Sequence, residues 1–243
     1  MRRLRRGEQM HPILKKAFLA VTFGGACTPS ARVAVPSGHD GPGHGRHHGP
    51  GAHHGFTNAD TWAEVFDSHD REAWQRPEEV LRALALEPTM RVADVGAGTG
   101  YFAVRLARAV PAGEVIATDI EPDMVRYLNE RARREKLANL RSVQSTGTGS
   151  GLAAASVDRI LVVHVWHHLD DRERHARELA AALRPGGKLM IVDFSMAGHR
   201  GPPAHMRVPP EVVVAELASA GLSARVLPLA LPDQYIVEGR REP

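Results

Sequence analysis

Arg91-Val92-Ala93-Asp94-Val95-Gly96-Ala97-Gly98-Thr99-Gly100 is the stretch on which the reading of this chain turns. An apolar run carrying one acid ends in glycines at alternate positions. Glycine takes positive φ without strain and lets a neighbour approach where a Cβ would obstruct it. The residues that follow, Tyr101-Phe102-Ala103-Val104-Arg105-Leu106-Ala107-Arg108, have the character of a helix. Strand, glycine turn and helix in this order aim backbone N–H groups at one place, where a small polar ligand can sit.

Spacing decides among the designs that share such a turn. A phosphate-cradling loop ends in Gly-Lys-Ser/Thr, whereas this one continues Gly100-Tyr101-Phe102. The dinucleotide fingerprint needs Gly or Ala three positions after its second glycine, for close packing of helix on strand. Here that position is Tyr101, which is too bulky. A second apolar run, Val115-Ile116-Ala117-Thr118-Asp119, also ends in an acid. A carboxylate so placed can accept hydrogen bonds from both hydroxyls of a ribose. Asp158-Arg159-Ile160-Leu161-Val162-Val163 reads as a further buried strand.

The G-x-G-x-G spacing behind Asp94, the acid Asp119, the run 158–163 and Leu183-Arg184-Pro185-Gly186-Gly187-Lys188-Leu189-Met190-Ile191-Val192-Asp193-Phe194 occur in one order. Together they resemble the class I S-adenosylmethionine-dependent methyltransferases, over roughly residues 58–240. The resemblance implies an α/β fold, a Rossmann-like doubly wound seven-stranded sheet of order 3-2-1-4-5-7-6. Its last strand is expected to be antiparallel, with N-terminal helices covering the site. It implies S-adenosyl-L-methionine as cofactor and transfer of a methyl group to a small-molecule acceptor by in-line displacement. The turn residues Asp94, Gly96, Ala97, Gly98, Thr99, Gly100 and Tyr101 are expected to line the cofactor, Asp119 to hold its ribose, and Ile120 and Met124 to flank its adenine. Many members carry an acid after the third strand for the adenine amino group. This chain has Ser145-Thr146-Gly147-Thr148-Gly149-Ser150-Gly151 there, which leaves that role to Thr146 or to a backbone group.

The remainder alternates. Helices are expected over 101–110, 123–136, 172–183 and from 211 toward Gly221, and strands over 115–119, 140–144, 188–194, 223–229 and 234–238. Such alternation indicates a parallel sheet with helices on both faces. Ahead of it lie short helical pieces at 61–66, 71–75 and 77–84, the last opening on Pro77 with acids in its first turn. Trp62 and Trp74 either cover the site or pack these pieces on the sheet.

Chemistry concentrates in His164-Val165-Trp166-His167-His168-Leu169-Asp170, after the fourth strand. In doubly wound sheets ligands lie at the carboxyl ends of strands, so this loop faces the reacting groups. Imidazole titrates near neutral pH, so His167 and His168 are candidate general bases; otherwise they cap a helix or bond the backbone. His164 is expected to line the cofactor pocket. His205 and Arg207, in the insert 195–209, are weaker candidates for reaching over the acceptor. The only cysteine, Cys27, lies outside the folded region, so covalent cysteine routes to methylated pyrimidines or arsenite are excluded. No Asn/Asp-Pro-Pro-Tyr follows the fourth strand, which disfavours the amide and exocyclic-amine methylation that uses it.

The net charge of +3 is unevenly placed: residues 1–26 hold six cations against Glu8, leaving −2 for the rest. A body without a basic footprint argues against nucleic acid as partner. The sequence divides into a leader at 1–27, a linker at 28–57 and a methyltransferase-like domain at 58–243. The leader has a basic start, the apolar Ala17-Phe18-Leu19-Ala20-Val21-Thr22-Phe23, and Gly24-Gly25-Ala26-Cys27. It resembles a bacterial lipoprotein signal, implying membrane attachment through a lipidated Cys27 in the cell envelope; an uncleaved leader on a cytoplasmic protein is the alternative. The linker is rich in Gly, Pro and His, with His39, His44, His47, His48, His53 and His54. It is expected to be a spacer, with no dedicated metal site. A second function class stays in view, a non-catalytic envelope-anchored protein that binds a ligand or metal. Oligomeric state is not specified by the sequence.

Overall fold

The computed structural model describes residues 58–243 except His69. The leader, the linker and Cys27 lie outside the described residues. Helices α1 (Ala59–Phe66), α2 (Arg71–Gln75) and α3 (Pro77–Leu84) precede β1 (Arg91–Val95). Then follow α4 (Tyr101–Ala109), β2 (Glu114–Asp119), α5 (Pro122–Arg134), β3 (Leu140–Gln144) and β4 (Val157–Val163). A 3-10 turn at Trp166–His168 leads to α6 (Arg172–Ala182), β5 (Leu183–Phe194), α7 (Pro210–Ser219), β6 (Ser223–Val226) and β7 (Gln234–Arg240).

The seven strands are ordered β3-β2-β1-β4-β5-β7-β6, as the resemblance implies. Pairs β1–β2, β1–β4, β2–β3 and β4–β5 are parallel; β7 runs antiparallel to both β5 and β6. Successive residues of the central strands face opposite sides. Val92, Val115, Leu161 and Met190 pack with Val80, Leu84, Leu106 and Leu128 on one side. Ala93, Ile116, Ile160 and Leu189 pack with Leu179, Val213 and Leu217 on the other. The near-continuous apolar character of β1, β2 and β4 has this cause: both faces are covered. Each large aliphatic side chain so buried contributes about 1.5–3 kcal/mol.

Element ends shift for local reasons. The strand expected over 223–229 stops at Val226, with Leu227 N still donating to Ile236 O at 2.8 Å. The helix expected to reach residue 136 ends at Arg134, and Lys136 turns out of it at φ 58°. The final strand extends two residues beyond the expected Glu238, to Arg240, where Arg240 pairs with Lys188 and Ser223. Among the described residues no helix is long and apolar enough to cross a membrane.

Candidate functional site

The glycine turn folds back on the end of β2. The N–H groups of Gly96 and Ala97 both donate to Thr118 O, at 2.8 and 3.0 Å. Gly96, Gly98 and Gly100 have φ of 72°, 55° and 94°. A Cβ on Gly96 would stand 2.3 Å from Val165 Cγ2, and one on Gly100 2.2 Å from Leu128 Cδ1. Both conformation and close packing therefore require glycine there.

Asp119, at the end of β2, is 8% exposed. Its Oδ2 accepts from Gly98 N at 2.8 Å and its Oδ1 from Glu121 N at 3.0 Å. Each oxygen keeps a further lone pair for a ligand hydroxyl. Ile120 beside it is an exposed large hydrophobic, 37% accessible, whereas Met124 is packed in the interior of α5. Ile120 is thus the one of the pair with a face to offer a ring. The loop after β3 is ordered: Thr146 N and Gly149 N exchange bonds with each other's carbonyls. Arg174 donates to the carbonyls of Gly147 and Thr148, and Thr146 Oγ1 lies 3.3 Å from Thr148 Oγ1.

Helix α2 brings Arg71 over this edge. Its guanidinium sits 4.0 Å above the Tyr101 ring, as does that of Arg105. Burial raises the Asp94 carboxyl to about 7, opposed by the nearby Arg71. Burial also pulls Arg71 down to about 10. Asp94 Oδ2, Thr99 Oγ1, Tyr101 OH and Arg71 Nε are all out of solvent and unpartnered among the described residues. Such groups are rare in native interiors and call for a reason. One acid and a set of donors in one place suit a ligand bearing an ammonium and a carboxylate, as the amino-acid end of S-adenosylmethionine does. With Asp119 and Ile120 alongside, the residues present fit that cofactor.

The adjoining edge, at the ends of β4 and β5, is aromatic. His164 leaves β4 at φ 57°, a strained conformation for a non-glycine residue of the kind found at functional sites. Its ring stacks 4.1 Å from Phe194 and 5.7 Å from Trp74 of α2. Burial holds His164 well below the usual histidine range, and its Nε2 has no partner among the described residues. His167 Nδ1 lies 2.8 Å from Asp193 Oδ1, and His167 N donates to Asp193 Oδ2 at 3.1 Å. Both side chains are almost wholly enclosed, and the His168 ring lies 4.1 Å from that of His167. Trp74 therefore lies against the site, while Trp62 stacks 5.4 Å from Phe66 within α1. Arg207 uses its donors on the carbonyls of Ser195, Gly198, Arg200 and Pro202, so it shapes the insert rather than reaching across it. His205 sits on the short turn Ala204–Met206.

Arg71, Gln75, Asp193 and Gln234 belong to this region and were not singled out from the sequence. Asp193 carried a usable signal, an acid near the end of an apolar strand like Asp94 and Asp119. Among the described residues no group of three or more His, Cys, Asp or Glu is placed to hold a metal ion.

Comparison with known proteins agrees with this geometry. Residues 93–191 match the family described as methyltransferase domain. The chain is 30% identical over 107 residues to the ubiquinone/menaquinone biosynthesis C-methyltransferase UbiE of Pasteurella multocida, covering 43% of this chain and 40% of that protein. It is 34% identical over 110 residues to the malonyl-[acyl-carrier protein] O-methyltransferase of Methylococcus capsulatus, covering 45% and 39%. The match thus spans about 40% of the length of these curated relatives. A crystal structure of a SAM-dependent methyltransferase from Aquifex aeolicus superposes with a TM-score of 0.66 at 27% identity, covering 74% of this chain and 96% of that one. Sheet order, glycine turn, strand-end acids and these likenesses converge on the fold of the class I S-adenosylmethionine-dependent methyltransferases, with the methyltransferase-domain match lying over residues 93–191.

Proposed function

We propose that this protein is an S-adenosylmethionine-dependent methyltransferase acting on a small-molecule acceptor. The observation that carries the reading is the set of buried, unpartnered polar atoms on Asp94, Thr99, Tyr101 and Arg71, beside the glycine turn. When bound, the cofactor supplies a methyl group on a positively charged sulfur, activated for displacement. Asp119 holds the ribose hydroxyls with its remaining lone pairs, Asp94 the ammonium and Arg71 the carboxylate. Ile120 covers the adenine. The protein's main contribution is then orientation, because the turn and Asp119 are held by hydrogen bonds within the fold. Helices α1 and α2 exclude water from above.

An acceptor that must lose a proton needs a base. His167 takes that role, with Asp193 as its positioning partner. The bond from Nδ1 to Asp193 leaves the lone pair of the neutral ring on Nε2, and the same carboxylate holds the His167 main chain. His168 packs against the His167 ring. The two curated relatives differ by name in the atom methylated, carbon in one and oxygen in the other, so kinship does not choose the acceptor atom.

Calorimetry of the full chain with S-adenosylhomocysteine tests the reading. Binding is expected, and Asp119→Ala should weaken it by about 1.5–3 kcal/mol. A wild-type protein that does not bind it ends the methyltransferase reading. Normal binding by Asp119→Ala ends the placement of the ribose. We also propose that Cys27 anchors the domain in the bacterial cell envelope, on the strength of the leader's pattern. Incorporation of a labelled lipid precursor should then disappear in Cys27→Ser; a wild-type chain that takes up no label refutes the anchor.

A further inference from the structure

Gln75, the last residue of α2, and Gln234, the first of β7, meet in the interior across 159 residues of sequence. They are 0% and 5% exposed. Gln75 Nε2 donates to Gln234 Oε1 at 2.8 Å. That bond leaves Gln75 Oε1 and Gln234 Nε2 out of solvent and without a partner among the described residues. One is an acceptor and the other a donor, on neighbouring side chains. Tying α2 to β7 needs only the bond already made, and half-bonded buried amides are destabilising.

Their position gives the leftover atoms a use. Gln234 is the register partner of Phe194, so both side chains leave the same face of the sheet. The Phe194 ring stacks on His164, and Trp74, adjacent to Gln75, lies 5.7 Å from His164 and 6.5 Å from Phe194. The three planes differ by 12–25°. An aromatic stack and an unmatched donor–acceptor pair thus share the edge next to the cofactor residues. His164 Nε2 adds a third unpartnered atom at the same stack. Both amides are neutral; Arg200, above Trp74, is within 3.7 Å of both Asp70 and Asp233, and Arg71, which also acts on His164, is assigned to the cofactor carboxylate.

We propose that this is the acceptor subsite: Gln75 Oε1 and Gln234 Nε2 read a hydrogen-bond donor and acceptor on adjacent atoms of a flat, uncharged molecule, whose ring packs at the Trp74–His164–Phe194 stack. The name acceptor rests on the methyltransferase reading; the binding itself does not. A lactam or a ring amide has the required edge, with N–H toward Gln75 and C=O toward Gln234.

Two probes that differ at one ring atom test this. 2-Quinolinone carries the N–H and C=O; coumarin has the same outline with oxygen in place of the N–H. Each is titrated calorimetrically into the full chain, with and without saturating S-adenosylhomocysteine. 2-Quinolinone should bind at least about tenfold more tightly than coumarin, since the ring oxygen would face Gln75 Oε1 with no proton between them. In Gln75→Met and Gln234→Met that preference should collapse, with S-adenosylhomocysteine affinity held within about twofold. Equal affinity for the two probes, no binding of 2-quinolinone, or a preference that persists in both variants overturns the proposal. If a variant fails to fold, the two probes on the wild-type chain still decide it. Failure to bind S-adenosylhomocysteine with the quinolinone preference intact defeats the methyltransferase reading and leaves the subsite standing.

Discussion

Along the carboxyl edge of the sheet, the part above β1, β2 and β3 is shaped by main chain, whereas the part above β4, β5 and β7 is shaped by side chains. In the first, three glycines at positive φ and the carbonyl of Thr118 set the turn, and Asp119 ties it to α5 through two backbone N–H groups. In the second, Trp74, His164 and Phe194 stack, Asp193 holds His167, and Gln75 meets Gln234. A site made of main chain tolerates little change, because Gly96 and Gly100 are required by both conformation and contact and Gly98 by conformation. A site made of side chains can be altered one residue at a time while the scaffold persists. The contrast suits a constant cofactor beside a variable acceptor.

Four experiments can break or sharpen that contrast. The largest effect is expected on the side-chain half, for an acceptor that must lose a proton. His167→Gln should lower kcat by about 10²–10⁴-fold, the usual range for loss of a general base. Asp193→Asn should lower kcat in the same direction with KM little changed, and both should keep S-adenosylhomocysteine affinity. Unchanged kcat in both would make the pair a structural cap and nothing more.

On the main-chain half, Gly100→Ala should destabilise the fold by about 2–4 kcal/mol, through strain at φ 94° and contact with Leu128. Gly186→Ala is its control, with φ 73° and nothing within 4 Å of the added Cβ. There strain acts alone, and about 1 kcal/mol is expected. Thermal unfolding that shows the same loss at both positions would remove close packing from the account of the turn.

Next comes the pH dependence of cofactor binding. Asp94 is raised to about 7 by burial, so below that pH the unliganded protein holds it protonated. An ammonium ligand binds the ionised form, so affinity for S-adenosylhomocysteine should fall as pH drops through 7, toward tenfold per pH unit or about 1.4 kcal/mol. In Asp94→Asn that slope should vanish. Affinity that rises on acidification would place the ammonium elsewhere. The same burial predicts that Asp94 withdraws stability from the unliganded fold as pH rises from its unfolded value of 3.8 toward 7, since only the unfolded chain releases the proton in that window.

The smallest effect is expected at Ile120. Ile120→Ala should weaken S-adenosylhomocysteine by about 1 kcal/mol, from apolar area no longer covered, and leave thermal stability unchanged. A stability loss with unchanged affinity would show that Ile120 serves the fold instead.

How much could be read beforehand follows the same division. The glycine turn, Asp94 and Asp119 lie within thirty residues of one another and announce themselves by type and spacing. Asp193 was equally open to that reading. Arg71 was one cation in a short charged helix, and nothing local marks it as a neighbour of Asp94. Gln75 and Gln234 stand 159 positions apart, and neither is unusual in its own neighbourhood. Trp74 was visible, but whether it covered the site or packed the helices depended on where α2 came to rest.

From the sequence alone come the alternation of strands and helices, the turn that only glycine can make, and the acids that close β1 and β2. These follow from residue conformation and from apolar periodicity, which act over a few positions. The tertiary structure alone decided which side chains of α2, β5 and β7 meet, and that burial raises the Asp94 carboxyl to about 7. Those outcomes depend on burial and on strand order, which bring together groups that no short stretch of chain contains.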